Sequence, residues 1–101
     1  MRLPVIERKA YTVSLQGYRE EEQTLVFIHC DMHHPWTKTI KKQLAQDFDA
    51  FCELHNQTLW TLSELDDLKH HKFLTMFGFV YHMDMPLQNG RVMALYKKQG
   101  N

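Results

Sequence analysis

A short run in the first half of the sequence combines side chains that can bind metals or attack substrates: His29, Cys30, Asp31, His33 and His34. Imidazole and carboxylate ligands suit a zinc ion, and on a β-strand His29, Asp31 and His33 would share one face. The remaining histidines are scattered and form no second ligand cluster; they are His55, His70, His71 and His82. The pattern therefore favours a polar strand end over a metal site. Cys30 would point away from His29, which is poor geometry for a cysteine-histidine nucleophilic pair.

Positive charge gathers just after this run, at Lys38, Lys41 and Lys42. Lysines near the start of a helix can attract an anionic group such as a cofactor phosphate, and they can equally form a solvated surface. A tryptophan beside a proline at an exposed helix start, here Trp36, can anchor a partner. If the chain binds a cofactor, the three lysines are its candidate ligands. The candidate partner-binding residues are His33, His34, Trp36 and Lys38, and no residue is assigned a catalytic or metal-binding role.

Length and composition narrow the class of protein. A chain of 101 residues predicts a single domain over 1–101. Twelve basic and twelve acidic side chains cancel, which disfavours nucleic acid as a partner. No stretch approaches the roughly 20 apolar residues that cross a bilayer, and the start lacks a signal core, so we expect a soluble protein that is not secreted. Cys30 and Cys52 are expected to be small buried hydrophobes in a reducing compartment, not a disulfide.

Hydrophobic periodicity predicts five strands and two helices in the order β-β-α-β-α-β-β. The strands are expected over 10–16, 24–32, 58–62, 79–84 and 91–98, and the helices over 35–54 and 65–77. The segment from Thr24 to Met32 carries apolar residues on both faces, which predicts a central strand. The fold class is therefore α/β (α+β), with a mostly antiparallel sheet and two helices.

Local signals mark the ends of the predicted elements. Pro35 suits the first turn of the first helix, and Ser63 opens a capping-box pattern for the second. Gly78 is expected to supply the left-handed conformation that ends the second helix, with Phe79 folding back against its last turn as in a Schellman motif. Asn89-Gly90 is expected to turn the last hairpin.

The segment Lys72-Phe73-Leu74-Thr75-Met76-Phe77-Gly78-Phe79, with the element order around it, resembles the GCN5-related N-acetyltransferase (GNAT) fold. The resemblance covers roughly Tyr11 to Lys97 and omits the N-terminal strand and helix pair of that family. The layout is also similar to the small internal virion proteins of short-tailed coliphages, through Leu59-Trp60 and His70-His71-Lys72-Phe73-Leu74. The resemblance implies a reduced acetyltransferase-like fold in a phage virion or in the bacterial host cytoplasm.

Two positions depart from the pattern of active acetyltransferases. The loop after the central strand there carries glycines whose amides hold the coenzyme A pyrophosphate, whereas residues 33–40 here contain no glycine and include Pro35 and Trp36. We therefore expect a main chain too crowded to cradle a diphosphate. The general-acid tyrosine of many relatives corresponds to Leu74, and Asp67 lies where an asparagine is often found.

These departures predict a retained fold without the usual catalysis. The leading hypothesis is a small non-catalytic phage-type protein that is virion-associated or binds a viral or host protein, with no cofactor. The first alternative is an atypical acyltransferase that holds acetyl-coenzyme A through Lys38, Lys41 and Lys42. The second is a nucleic-acid-binding accessory protein, and the sequence leaves self-association open.

Overall fold

The computed structural model describes residues 1–100, which form one six-stranded sheet and two helices. In chain order the elements are β1 (Arg2–Glu7), β2 (Tyr11–Glu20), β3 (Gln23–Met32), α1 (Lys38–Leu54), β4 (Leu59–Glu64), α2 (Leu68–Met76), β5 (Val80–Pro86) and β6 (Val92–Lys98). The predicted mixed fold, with its mostly antiparallel sheet and two helices, is confirmed. None of the helices in this part of the chain is long and apolar enough to cross a membrane.

The strands lie in the order β1-β2-β3-β4-β6-β5. Neighbouring strands are antiparallel except β3 and β4, which run parallel and are connected through α1. A parallel pair needs such a crossover because its strands cannot be joined by a tight turn. The prediction that β3 is central is confirmed, since β3 lies in the interior of the sheet.

The sheet contains one strand more than the periodicity predicts. β1 pairs with β2, and its register shifts between Pro4 and Ile6. Proline lacks a backbone N–H, so it is confined to edge strands, first positions and bulges. Here it lies on an edge strand beside an irregularity, which is why alternation alone did not reveal a strand.

Both helices begin later than predicted. Thr37 caps α1, where its Oγ1 accepts the N–H of Ile40 at 3.1 Å, and Pro35 lies before the helix. Asp67 caps α2, where its Oδ1 accepts the N–H of His70 at 3.1 Å. The Ser63 cap was wrong because Ser63 continues β4 and pairs with Ala94 of β6. A complete strand ladder outweighs one capping bond.

The predicted end of α2 is confirmed. Gly78 has φ +92° and donates its N–H to the carbonyl of Thr75, while Phe79 donates to the carbonyl of Leu74. These two bonds define a Schellman motif. The last hairpin turns over 87–91, with Gly90 at φ +86°.

The helices and one face of the sheet form a single core. The apolar stripe of α1 buries Ile40, Leu44 and Phe48, as the spacing predicts. The ring of Phe48 stacks on Phe79 at 5.9 Å and meets Phe77 edge-on at 5.8 Å, so the end of α2 is fixed to α1. The core cluster also includes Tyr11, Val13, Ile28, Leu59, Leu74, Ala94 and Tyr96.

Candidate functional site

A cleft opens where the two parallel strands separate. β3 and β4 pair at Val26 with Leu59 and at Phe27 with Trp60, and no later pair is formed between them. Beyond these pairs lies a cavity of about 840 Å³. Its size falls within the range of small-molecule sites in proteins, which is about 300–1,000 Å³.

The interior of the cleft is mostly apolar and its rim is charged. Leu44 and Phe48 of α1 line it together with Phe73 and Phe77 of α2. The polar lining residues from the helices are Lys41, Asp67, Lys69, His70 and Lys72. An apolar chamber with a few polar groups is typical of a binding site for a largely apolar ligand.

Of the candidate partner-binding residues, Trp36 lines the cleft, whereas His33, His34 and Lys38 do not. His33 donates its N–H to the carbonyl of Ala10, and its Nε2 lies 2.8 Å from the Oγ1 of Thr12. His34 is exposed, with Nδ1 2.9 Å from the carbonyl of Pro35. Trp36 lines the cleft and stays 45% exposed. Its ring meets Phe73 edge-on at 5.5 Å, so the loop before α1 contacts α2.

The three candidate lysines do not converge on the cleft. Lys41 lines it, whereas Lys38 and Lys42 are exposed on α1 and are not among the lining residues. Lys69 and Lys72 approach from α2 instead. The sequence analysis did not identify Lys69 and Lys72 as candidates. The available signal was their spacing, because Lys69, Lys72 and Met76 are three and four residues apart and so share one helix face.

The main chain predicted to be too crowded to cradle a diphosphate is the loop between β3 and α1, of which Trp36 lines the cleft. The cleft is open beside Trp36, so space exists for a ligand. The loop between β3 and α1 nevertheless has no residue with positive φ, because the positive-φ residues of the described chain are Glu21, Gly78 and Gly90. An anion nest needs alternating right- and left-handed residues. The loop between β3 and α1 therefore lacks a nest of this type.

Leu74, the residue that the sequence resemblance assigns to the general-acid position of active acetyltransferases, has an aliphatic side chain. Leu74 is 4% exposed and packs in the core, and its carbonyl is used by the Schellman motif. It has no proton to give to a leaving thiolate. Asp67 is used as the cap of α2.

His29, Asp31 and His33 do not converge on one point. His29 Nε2 lies 2.9 Å from the Oε1 of Gln16, and Asp31 pairs with Arg2, whose Nη1 is 3.3 Å from Oδ2. His33 is turned to Thr12. Over residues 1–100, no group of three or more metal-ligating side chains comes together.

Cys30 corrects another expectation, because it is exposed at the cleft instead of buried. Loss of hydration within the cleft wall and, to a smaller extent, the Asp31 carboxylate raise the pKa of this thiol to about 11. The thiol is therefore protonated at neutral pH, and a protonated thiol is a poor nucleophile. Cys52 is also free and half-buried.

His70 and His71 connect α2 to β4. His71 Nε2 donates to the carbonyl of Glu64 at 2.8 Å, and His70 Nδ1 lies 2.7 Å from the Oγ of the buried Ser63. Burial lowers the pKa of His70 below its ordinary value, and the nearby His71 adds a little to that effect. His70 is thus a neutral, half-buried group on the wall of the cleft.

No protein-family model matches the chain, and no curated protein matches its sequence. Solved structures do match its fold. A GNAT-family acetyltransferase from Streptococcus agalactiae superposes with a TM-score of 0.64 at 12% identity, over 91% of this chain and 60% of that one. The protein yncA of Salmonella typhimurium, described as an acetyltransferase and solved with its cofactor acetyl-CoA, gives a TM-score of 0.64 at 16% identity, over 89% and 57%.

The chain therefore spans less than two thirds of the length of these structures. Identities this low establish a shared fold and no more. The six-stranded sheet with its separated parallel pair and two helices is a GNAT-like acetyltransferase fold.

Proposed function

We propose that this protein is a non-catalytic binding protein built on a reduced acetyltransferase-like fold. The observation that carries the proposal is the composition of the cleft: it is open and apolar, while its loop lacks a diphosphate nest and Leu74 stands at the acid position. A site that keeps the chamber and loses both chemical features is suited to binding without turnover.

The proposed partner is a viral or host protein, and the proposed setting is a phage virion or the infected bacterial cytoplasm. This setting rests on the resemblance of the sequence layout to the small internal virion proteins of short-tailed coliphages. The half-exposed Trp36 beside an apolar cleft supports a protein partner, since aromatic anchors dominate protein interfaces.

Isothermal titration calorimetry with acetyl-coenzyme A tests the proposal that the protein does not bind this cofactor. We expect no binding tighter than about 1 mM, which corresponds to roughly 4 kcal/mol. Titration of the intact protein with coenzyme A alone should give the same result. Binding in the micromolar range by either ligand would overturn the proposal.

A second candidate is an atypical acyltransferase, which the open cleft and the position of Lys41 favour. In that reaction an acyl group passes from the thioester to an acceptor amine, and the coenzyme leaves as a free thiol. The candidate predicts thiol release from acetyl-coenzyme A that falls in Lys41→Ala and survives in Lys42→Ala, since Lys42 does not line the cleft. Absence of release with a panel of amine acceptors eliminates this candidate.

A further inference from the structure

The β3 side of the cleft is formed by the edge of the strand itself. Five consecutive residues from Ile28 to Met32 line the cleft. Because successive side chains of a strand point to opposite faces of the sheet, five consecutive residues line the same space along the edge of the strand. These residues pair with β2 on one side, and on the other their described pairing with β4 has already ended at Phe27. Such an edge presents backbone N–H and C=O groups to an added strand.

β4 contributes a second edge. Thr61 and Leu62 are consecutive and both line the cleft, while their pairing partners in β6 lie on the far side of β4. The cleft is thus a gap in a continuous sheet, narrow at Phe27 and Trp60 and wider beyond them. An extended chain fits such a gap because its backbone can bond to the strand beside it.

Side chains on the helix side of an inserted strand would meet an apolar surface. Leu44, Phe48, Phe73 and Phe77 face this space from the two helices. A strand directs every second side chain to one face, so alternate apolar residues in the ligand would contact these rings. The exposed edge spans five residues, or about 16 Å of extended chain at roughly 3.3 Å per residue.

The charge on the rim complements an acidic ligand. Lys41, Lys69 and Lys72 line the cleft, and the three ion pairs within residues 1–100 all use arginines instead. The two acidic lining residues already have partners, since Asp67 caps α2 and Asp31 pairs with Arg2. Asp67 keeps its negative charge as a helix cap, so the three lysines outnumber the two acidic lining residues and the rim is positive on balance.

We infer that the cleft binds an extended segment of a partner protein, which adds a strand along Ile28–Met32. Its alternate apolar side chains contact the helices, and its acidic side chains approach Lys41, Lys69 and Lys72. This inference rests on the proposed function and specifies the chemistry of the partner. An aliphatic chain without a peptide backbone would fill the apolar part but leave the strand edge unpaired.

The probe is an equimolar pool of acetylated heptapeptides, with Val, Leu, Ile or Phe at alternate positions and Glu at the others. Two-dimensional amide NMR of the intact protein should show shifts concentrated at Ile28–Met32 and at Thr61 and Leu62. A pool with the same sequences and N-methylated backbone amides cannot donate strand hydrogen bonds, and we expect it to bind at least roughly tenfold more weakly, or about 1.4 kcal/mol. A pool with Lys in place of Glu should also bind more weakly.

Matched charge reversals test the rim. Lys69→Glu with Lys72→Glu should weaken binding of the acidic pool roughly tenfold. Lys9→Glu with Arg19→Glu reverses two exposed charges outside the cleft, changes the net charge equally and should leave binding within about twofold. Four outcomes would each overturn the inference. They are NMR shifts outside the cleft, equal binding of the N-methylated pool, equal effects of the two double variants, and no binding of the acidic pool.

The outcomes separate this inference from the proposed function. If neither the peptide pool nor acetyl-coenzyme A binds, the inference of a strand-adding partner is wrong and the proposed function stands. Micromolar binding of acetyl-coenzyme A that displaces the peptides removes the proposed function.

Discussion

Replacement of Gly78 by alanine tests whether the end of α2 depends on backbone conformation. Gly78 has φ +92°, and an added Cβ would lie 2.9 Å from Lys98 Nζ. A side chain in the left-handed region costs about 1–2 kcal/mol, while the end of a lysine side chain can move away at little cost. We expect Gly78→Ala to lose about 1–2 kcal/mol of unfolding free energy. For a domain of this size that corresponds to a decrease in Tm of about 4–8 °C per kcal/mol.

Two other glycines give matched controls. Gly90 has φ +86° with no atom within 4 Å of an added Cβ, so Gly90→Ala carries the same strain without the contact. Gly17 has no positive φ, and the nearest atom to its Cβ would be Thr24 Cγ2 at 3.6 Å, so Gly17→Ala should be neutral or stabilising by about 0.4–1 kcal/mol. Urea and thermal unfolding followed by circular dichroism measure all three. Conformational strain would be refuted as the cause if Gly78→Ala left the free energy of unfolding unchanged. It would also be refuted if Gly78→Ala lowered that free energy strongly while Gly90→Ala left it unchanged.

Two further predictions concern hydrogen bonding and pH. The fully buried Tyr11 donates its O–H to Asp47 Oδ2 at 2.5 Å, and Arg8 donates two hydrogen bonds to the same carboxylate. Tyr11→Phe removes the first bond and should lower the free energy of unfolding, measured in urea, by about 1.5 kcal/mol. The control Tyr81→Phe removes a 2.7 Å bond to Asp84 at an exposed site and should cost less than about 0.5 kcal/mol, so equal losses would contradict the role of burial. Burial, and to a smaller extent the charge of Arg2, lowers the pKa of His29 in the folded protein. Burial also lowers the pKa of His70. Near and below pH 6.5 the unfolded chain therefore binds more protons than the folded one. Stability should therefore fall as the pH drops from about 7.5 to 5.5, and each of His29→Gln and His70→Gln should flatten that fall relative to His34→Gln; identical pH profiles in all variants would refute the assignment.

Much of the fold was readable from signals that act over a few residues. The apolar stripe of α1, the two-faced apolar pattern of β3 and the glycine that ends α2 each depend on neighbours in the chain, and each is found in the structure. The two departures at the candidate site were also visible as residue types, namely a loop without glycine and Leu74.

Errors arose where a distant partner competed with a local signal. Ser63 has the chemistry of a helix cap, but pairing with Ala94 holds it in β4, and Asp67 caps the helix instead. The proline in β1 hides a strand that only its pairing with β2 defines. Cys30 alternates with apolar residues as a buried residue would, yet it is exposed and lies beyond the point where β3 stops pairing with β4.

By itself the sequence determined the element types, the stop at Gly78, and a loop that lacks the glycines of a diphosphate nest. The tertiary structure alone decided that β3 and β4 separate after two residue pairs, and that Lys41 meets Lys69 and Lys72 around the resulting cleft. The physical reason is the range of the interactions involved. Caps, turns and amphipathic stripes form between neighbours in the chain. The pairing of β3 with β4 and the contact of α1 with α2 join residues more than twenty positions apart.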